Sequence, residues 1–176
     1  MRSFAVLQLD VNVLSGRPLV FLLVISAVLG GLMAGFFFAY SASVVLALRT
    51  LSASEYTTVM QEINETVLNV VFGVVFVGAV VVPIGSAVIV VLLGDWTTLS
   101  GQLFLAGVIV YLVGTFFVTA RIHIPMNDHI ATWSPVSPPD EWATVQARWR
   151  QWNHIRTTAA VISFTLYLAA IASIGA

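Results

Sequence analysis

Cysteine and lysine are both missing from this 176-residue chain, and charge of either sign is scarce, at 9% of residues. Without cysteine there is no disulfide, no thiolate metal ligand and no cysteine nucleophile, and the redox compartment is left undetermined. Seven arginines against eight acids give a formal net charge of -1, so nothing points to nucleic acid or a polyanion as partner. Also missing are a glycine-rich phosphate loop, a GxSxG elbow and an HExxH zinc motif, along with any internal repeat or low-complexity run. The first twenty residues carry Arg2 but are interrupted by Asp10 and Arg17. They lack a compact apolar core with a small-residue cleavage site, and read as a retained tail or interfacial segment.

What is present is apolar sequence, 59% of residues with a mean hydropathy of +0.99. A hydrocarbon core of roughly 30 Å is crossed by about 20 helical residues, and four windows have that length, at about 20–48, 67–93, 102–122 and 157–175. The expected fold is an all-α membrane four-helix bundle forming one domain, with an interfacial helix leading into the fourth span.

Along the chain, Pro18 suits a first helical turn. Gly31 and Gly35, four apart, allow close approach of another helix, within the protomer or in a homo-oligomer. Ser52 and Glu55 have capping-box spacing and predict a helix that starts outside the membrane and runs on through Pro83 with a kink. Gly107 and Gly114 are further close-approach positions, and Thr119 lies near the exit of the third span. Pro125 is expected to end or bend that span near His123, and the SPPD run at 137–140 to start a new helix. On it Trp142, Val145, Trp149 and Trp152 form one stripe, and Trp133, Trp142 and Trp149 are expected at the headgroup level.

Polar chemistry is concentrated in residues 121–156, which hold all three histidines, four of the five tryptophans and four of the seven arginines. Antiparallel spans bring three clusters to one membrane face: Gln61, Glu62 and Asn64; His123, Asn127, Asp128 and His129; Asn153, His154 and Arg156. Trp149, Asn153 and Arg156 share a helix face, with His154 about a third of a turn off it. Ionisable groups in or near a bilayer are costly unless paired or functional. Imidazole suits a general base, so His154 is the candidate base. Arg156 either neutralises an enolate or phenolate oxygen, with Asn127 and Asn64 as further donors, or pairs with Glu62 or Asp128. Tyr40, Gln61, Glu62, Trp152, Asn153 and His123 are candidate substrate contacts. A competing chemistry is a copper, iron or zinc site from His123, His129, His154 and Glu62, although their spacing matches no ligand motif. The first and third connections carry Arg49, Arg121, Arg148, Arg150 and Arg156 against Arg2 and Arg17 opposite, which puts the histidine-bearing side in the cytoplasm and both termini outside.

Four stretches together, GLMAGFFFAYSASV, MQEINETVLN, IPMND and WNHIRT, resemble the anthrone oxygenase family of small four-helix membrane proteins, in the family's order from Gly31 to Thr157. The family's third motif reads asparagine, aliphatic, proline, aliphatic, asparagine. Here Pro125 and Asn127 match, and His123 stands where the first asparagine would be. The resemblance implies an oxygenase but carries no substrate across; the expected substrate is a lipophilic, easily deprotonated anthrone-like or phenolic polycycle, oxidised by dioxygen. The reading is that His154 removes a proton, Arg156 with Asn127 and Asn64 holds the anion, and no flavin or haem is needed because the substrate supplies the electrons. A non-catalytic membrane subunit or lipophile-binding protein, and a metal-dependent oxidase, are the alternatives.

Overall fold

The computed structural model describes residues 2–174, with side chains from residue 16 onward except residue 17. The expectation for the N-terminal segment therefore falls largely on side chains outside the described residues. Helix α1 runs over Arg2–Ala39, passes through a wide π-helical turn at Tyr40–Val44 and ends with Val45–Leu48. Its membrane-length part is Pro18–Leu48. Then follow α2 (Ala53–Val67), α3 (Val70–Leu92), α4 (Leu99–Ala131) and α5 (Trp142–Ala172). Four helices, α1, α3, α4 and α5, are long and apolar enough to cross a membrane, and no strand occurs among the described residues. The protein is an all-α bundle of four membrane-length helices with a short amphipathic helix, α2, at one end.

The capping box at the start of α2 forms as expected. The Ser52 backbone donates to Glu55 Oε2 (2.9 Å), and the Ser52 hydroxyl accepts from the Glu55 N–H. The Ser52 hydroxyl, which also donates to Glu55 Oε2 at 2.7 Å, and then the Ser52 N–H hold the Glu55 carboxyl below its ordinary carboxylate range. The expected single helix through Pro83 is instead two. The backbone leaves helical geometry at Leu68 (φ −79, ψ 48), and Asn69 caps α3 by accepting from the Phe72 N–H (3.0 Å). An asparagine side chain that satisfies a free helix N–H makes this break inexpensive. At the other end of α3, Gly94 adopts φ +79, the left-handed conformation that closes a helix, and opens the short turn to α4.

Pro125 does not end the third span, which continues to Ala131. Upstream, the backbone widens twice, over Leu112–Phe117 and Thr119–His123. Pro125 then falls just past the second wide turn, at the start of the closing segment Ile124–Ala131. The expected helix start at 137–140 also moves. Ser137 is held in a bridge with Ser134, and α5 begins at Trp142. Residues preceding proline are pushed to extended backbone, so the Pro138–Pro139 pair delays the helix. The interfacial helix and the fourth span are one continuous helix.

Glycines set the packing of the bundle half farther from α2. A Cβ at Gly107 would meet the Tyr167 ring at 2.8 Å, one at Gly114 would collide with the Ala159 side chain, and one at Gly31 would meet the Phe164 ring at 2.9 Å. All three close on α5 within the protomer, so Gly31 serves internal packing, whereas Gly35 faces open space. The nearer half is capped by an annex whose core includes Leu48, Tyr56, Met60, Ile130, Trp133 and Trp149. Trp133 and Trp149 are thus core residues and not the expected headgroup anchors, because α4 and α5 both project beyond the hydrocarbon length and bury these rings against α2. Trp142 is half-buried and packs its ring 5.9 Å from that of Tyr56.

Candidate functional site

Between this annex and the tightly packed half lies a cavity of about 300 Å³, at the lower end of the range for small-molecule sites. Phe36, Phe37 and Tyr40 of α1 form one wall, and Phe72 and Phe76 of α3 another. The polar lining comes from Asn64 of α2, from Thr119, His123 and Asn127 of α4, and from Arg156 with Trp149 on α5. The α2–α3 break, Leu68 and Asn69, also borders it, and Leu68 is exposed there.

Arg156 is the centre of this site. It is 7% exposed, its guanidinium lies 4.1 Å from the Phe37 ring centroid, and Nη2 donates to Asn153 Oδ1 at 2.5 Å. Nη1 reaches Thr119 Oγ1 at 3.4 Å, and Nε is buried with no partner. Neither Glu62 nor Asp128 pairs with it. The salt bridge found among the described residues, His129 to Glu141 at 2.8 Å, lies elsewhere. Its ionisable neighbours are Tyr40, Tyr111 and His123, none of them a carboxylate. A buried cation with no counter-anion is energetically unfavourable by several kcal/mol, so the site carries an uncompensated positive charge.

Three more groups are poised around the same space. His123 is 1% exposed with neither ring nitrogen hydrogen-bonded; the Val118 and Trp149 backbones approach it without reaching bonding geometry. Its ring stands edge-on to Trp149, centroids 5.0 Å apart. Asn64 Nδ2 is buried and unpartnered. The Trp149 indole N–H donates to Asn127 Oδ1 at 2.9 Å. Since an indole can only donate, this bond fixes the amide orientation and leaves the Asn127 NH₂ free to donate.

Among the other sequence candidates, Asn153 is wholly buried and supports Arg156 while its own Nδ2 donates to Ser41 Oγ (2.9 Å). Tyr40 lines the cavity; Glu62 is exposed and borders a shallower hollow beside it. Gln61 has a structural task, donating to the Ile130 and Trp133 carbonyls (3.0 Å each) where α4 ends. Trp152 is half-buried and off the cavity lining. His154 departs from the expectation of a base: it is exposed, outside the cavity lining, with Nδ1 3.2 Å from Ser41 Oγ. Its offset from the Arg156 face carries it to the outside of α5. His129 points to Glu141, so the metal set of the competing reading, His123, His129, His154 and Glu62, is not assembled, and no group of three His, Asp or Glu gathers among the described residues.

Sequence reasoning missed Thr119 and Phe37 as lining groups and Trp149 as the residue that orients Asn127. One signal was available: Thr119, His123 and Asn127 stand at intervals of four, one face of a helix.

The fold and cavity define an integral membrane protein with an aromatic-walled cavity built on a buried arginine. The chain belongs to the anthrone oxygenase family, whose model matches residues 67–166. That stretch takes in α3, α4 and the site-bearing part of α5, including His123, Asn127, Asn153 and Arg156. No curated protein and no solved structure matches the chain.

Proposed function

We propose that this protein is a membrane oxygenase that converts a lipophilic, readily deprotonated polycycle of the anthrone type to its quinone with dioxygen. The observation that carries this reading is Arg156, a cation buried without a carboxylate on a cavity whose other polar groups, His123, Asn64 and Asn127, have unused bonding capacity. The aromatic walls, Phe36, Phe37 and Phe72, suit a flat ring system, which enters from the bilayer past Leu68.

The substrate carbonyl oxygen sits at Arg156 with the Asn64 and Asn127 amides as further donors. His123, not His154, takes a proton from the ring CH₂, and the electron pair moves onto that oxygen as an enolate. Fixed donors in a low-dielectric site stabilise such developing charge most strongly. The enolate carbon gives its electrons to dioxygen and forms a C–O bond. Loss of the second C–H proton with cleavage of the O–O bond leaves C=O on the ring and releases the other oxygen as water. Two hydrogens leave the carbon, one oxygen atom enters it and one forms water, so the balance closes without an added reductant. The substrate supplies the electrons, and turnover is expected to survive removal of metal ions.

The histidine-bearing side is assigned to the cytoplasm: with Arg156 removed from the count as a site residue, Arg49, Arg121, Arg148 and Arg150 still lie on that side. The deciding experiment is quinone formation from emodin anthrone under oxygen by the purified, chelator-treated protein. Wild type above background with loss in Arg156→Gln and His123→Ala supports the reading. Equal rates in all three, with altered melting temperature alone, would instead support a non-catalytic lipophile-binding protein. Restoration of a lost rate only by added copper or iron would support a metal-dependent oxidase.

A further inference from the structure

A second hollow, of about 350 Å³, lies on the other side of α4 from the cavity and is lined by residues of α4, α5 and the approach to α5. Its floor is apolar, from Ile122, Pro125, Met126 and Val145, and its rim carries Arg121 of α4 and Arg148 of α5. Both arginines are exposed, and neither has a salt bridge or a side-chain hydrogen bond among the described residues. The carboxylate in the lining, Glu141, is turned to His129 Nε2 at 2.8 Å, so its charge is engaged and the rim is left net positive.

Depth in the bundle distinguishes these arginines from Arg156. At 1.5 Å per residue, Arg121 lies roughly 30–35 Å along α4 from Leu99, and Arg148 about 36 Å along α5 from Ala172. With a hydrocarbon core of roughly 30 Å, both guanidiniums stand at the headgroup layer. Arg156, about 24 Å from Ala172 by the same measure, lies within the apolar layer. A basic hollow between two membrane helices at headgroup depth has the chemistry of a site for one phosphodiester.

We propose that Arg121 and Arg148 hold the phosphate of an anionic phospholipid between α4 and α5, independently of the chemistry in the cavity. The lipid bridges the widened end of α4 to α5 and so secures the helix that carries His123 and Asn127 on its opposite face.

The test uses the full chain in nanodiscs of phosphatidylcholine alone or mixed with phosphatidylglycerol, with native mass spectrometry for retained lipid and tryptophan fluorescence for melting. Wild type is expected to retain one phosphatidylglycerol over phosphatidylcholine by about tenfold or more and to melt higher in the mixed bilayer. Arg121→Gln/Arg148→Gln is expected to lose both effects, while Arg49→Gln/Arg150→Gln, on the same side but away from the hollow, keeps them. Equal retention of the two lipids by wild type would overturn the proposal without any variant, even if the double substitution fails to fold. Unchanged retention in the Arg121/Arg148 variant would overturn it as well. Millimolar inorganic phosphate that raises melting in pure phosphatidylcholine as much as the anionic lipid does would reassign the site to a free anion.

Discussion

The two halves of the bundle are built on opposite rules. In the half away from α2, glycines at 31 and 107 let α1 and α4 close onto α5, and serines knit the contacts: the Ser163 hydroxyl donates to the Gly107 carbonyl at 2.8 Å. In the half beside α2 the same helices carry wide turns at Tyr40–Val44 and Thr119–His123, and they enclose a cavity lined by phenylalanines and unpaired polar groups. Backbone approach without side chains gives dispersion contact and short interhelical bonds. Widened backbone gives up that contact and aims side chains inward. The closed half supplies rigidity, and the open half keeps polar groups that would be stabilised by pairing but are held unpaired.

The largest effect that tests this division is at Arg156. Arg156→Gln is expected to lower quinone formation about 10²–10³-fold, the loss typical of one oxyanion donor, while melting stays within a few degrees because an unpaired buried charge is removed. A collapse of the fold instead would make Arg156 a structural residue and erase the contrast. Next is the pair of histidines. His123→Ala is expected to slow turnover by about 10²-fold or more, the usual worth of a positioned acid–base group, and His154→Ala to leave it nearly unchanged; the reverse ranking would move the base to the outside of α5. Glycine substitutions then compare the halves directly. Gly107→Ala drives a Cβ into the Tyr167 ring and is expected to cost about 1–3 kcal/mol by overpacking, measured by thermal denaturation. Gly73→Ala, on the cavity side with nothing within 4 Å of the added carbon, is expected to be nearly neutral. The smallest effect is at the annex. Ser52→Ala removes the capping box and loosens the start of α2 without touching the rate. In wild type, the Glu55 carboxylate is bonded in the folded state and its pKa is lowered there, so its stabilisation is complete above the ordinary carboxylate pKa and fades as pH falls through the lowered value. A stability profile flat across acid pH would show that the cap contributes nothing.

Much of the architecture was legible because it depends on local quantities. The four membrane spans follow from apolar run length, the α2 start from the Ser52–Glu55 spacing, and the close helix approach from Gly107 and Gly114. The family could be read from four short motifs. The convergence of Asn64, Asn127 and Arg156 at one membrane face followed from antiparallel counting, whereas His154, expected to join them, is exposed and off the cavity lining. Trp133 and Trp149 were misplaced because amphipathic rings near a span end look alike whether they meet headgroups or a neighbouring helix; only the docking of α2 distinguishes the cases. Gln61 was legible as an inward-facing polar group, but its partners, the Ile130 and Trp133 carbonyls, are about seventy residues away in sequence.

The chain alone determined that this is a bundle of membrane-length helices with its polar chemistry at one end, since hydrophobicity and helix length are additive along a sequence. Which histidine faces the cavity was decided only in three dimensions. Each wide turn in α4 inserts a residue and rotates everything after it by about 100°, so the phase of His123, Pro125 and Asn127 cannot be counted from the start of the span. On α5, where no such turn intervenes, simple counting was sound, and the offset of His154 from the face of Asn153 and Arg156 was already the sign that it would point outward.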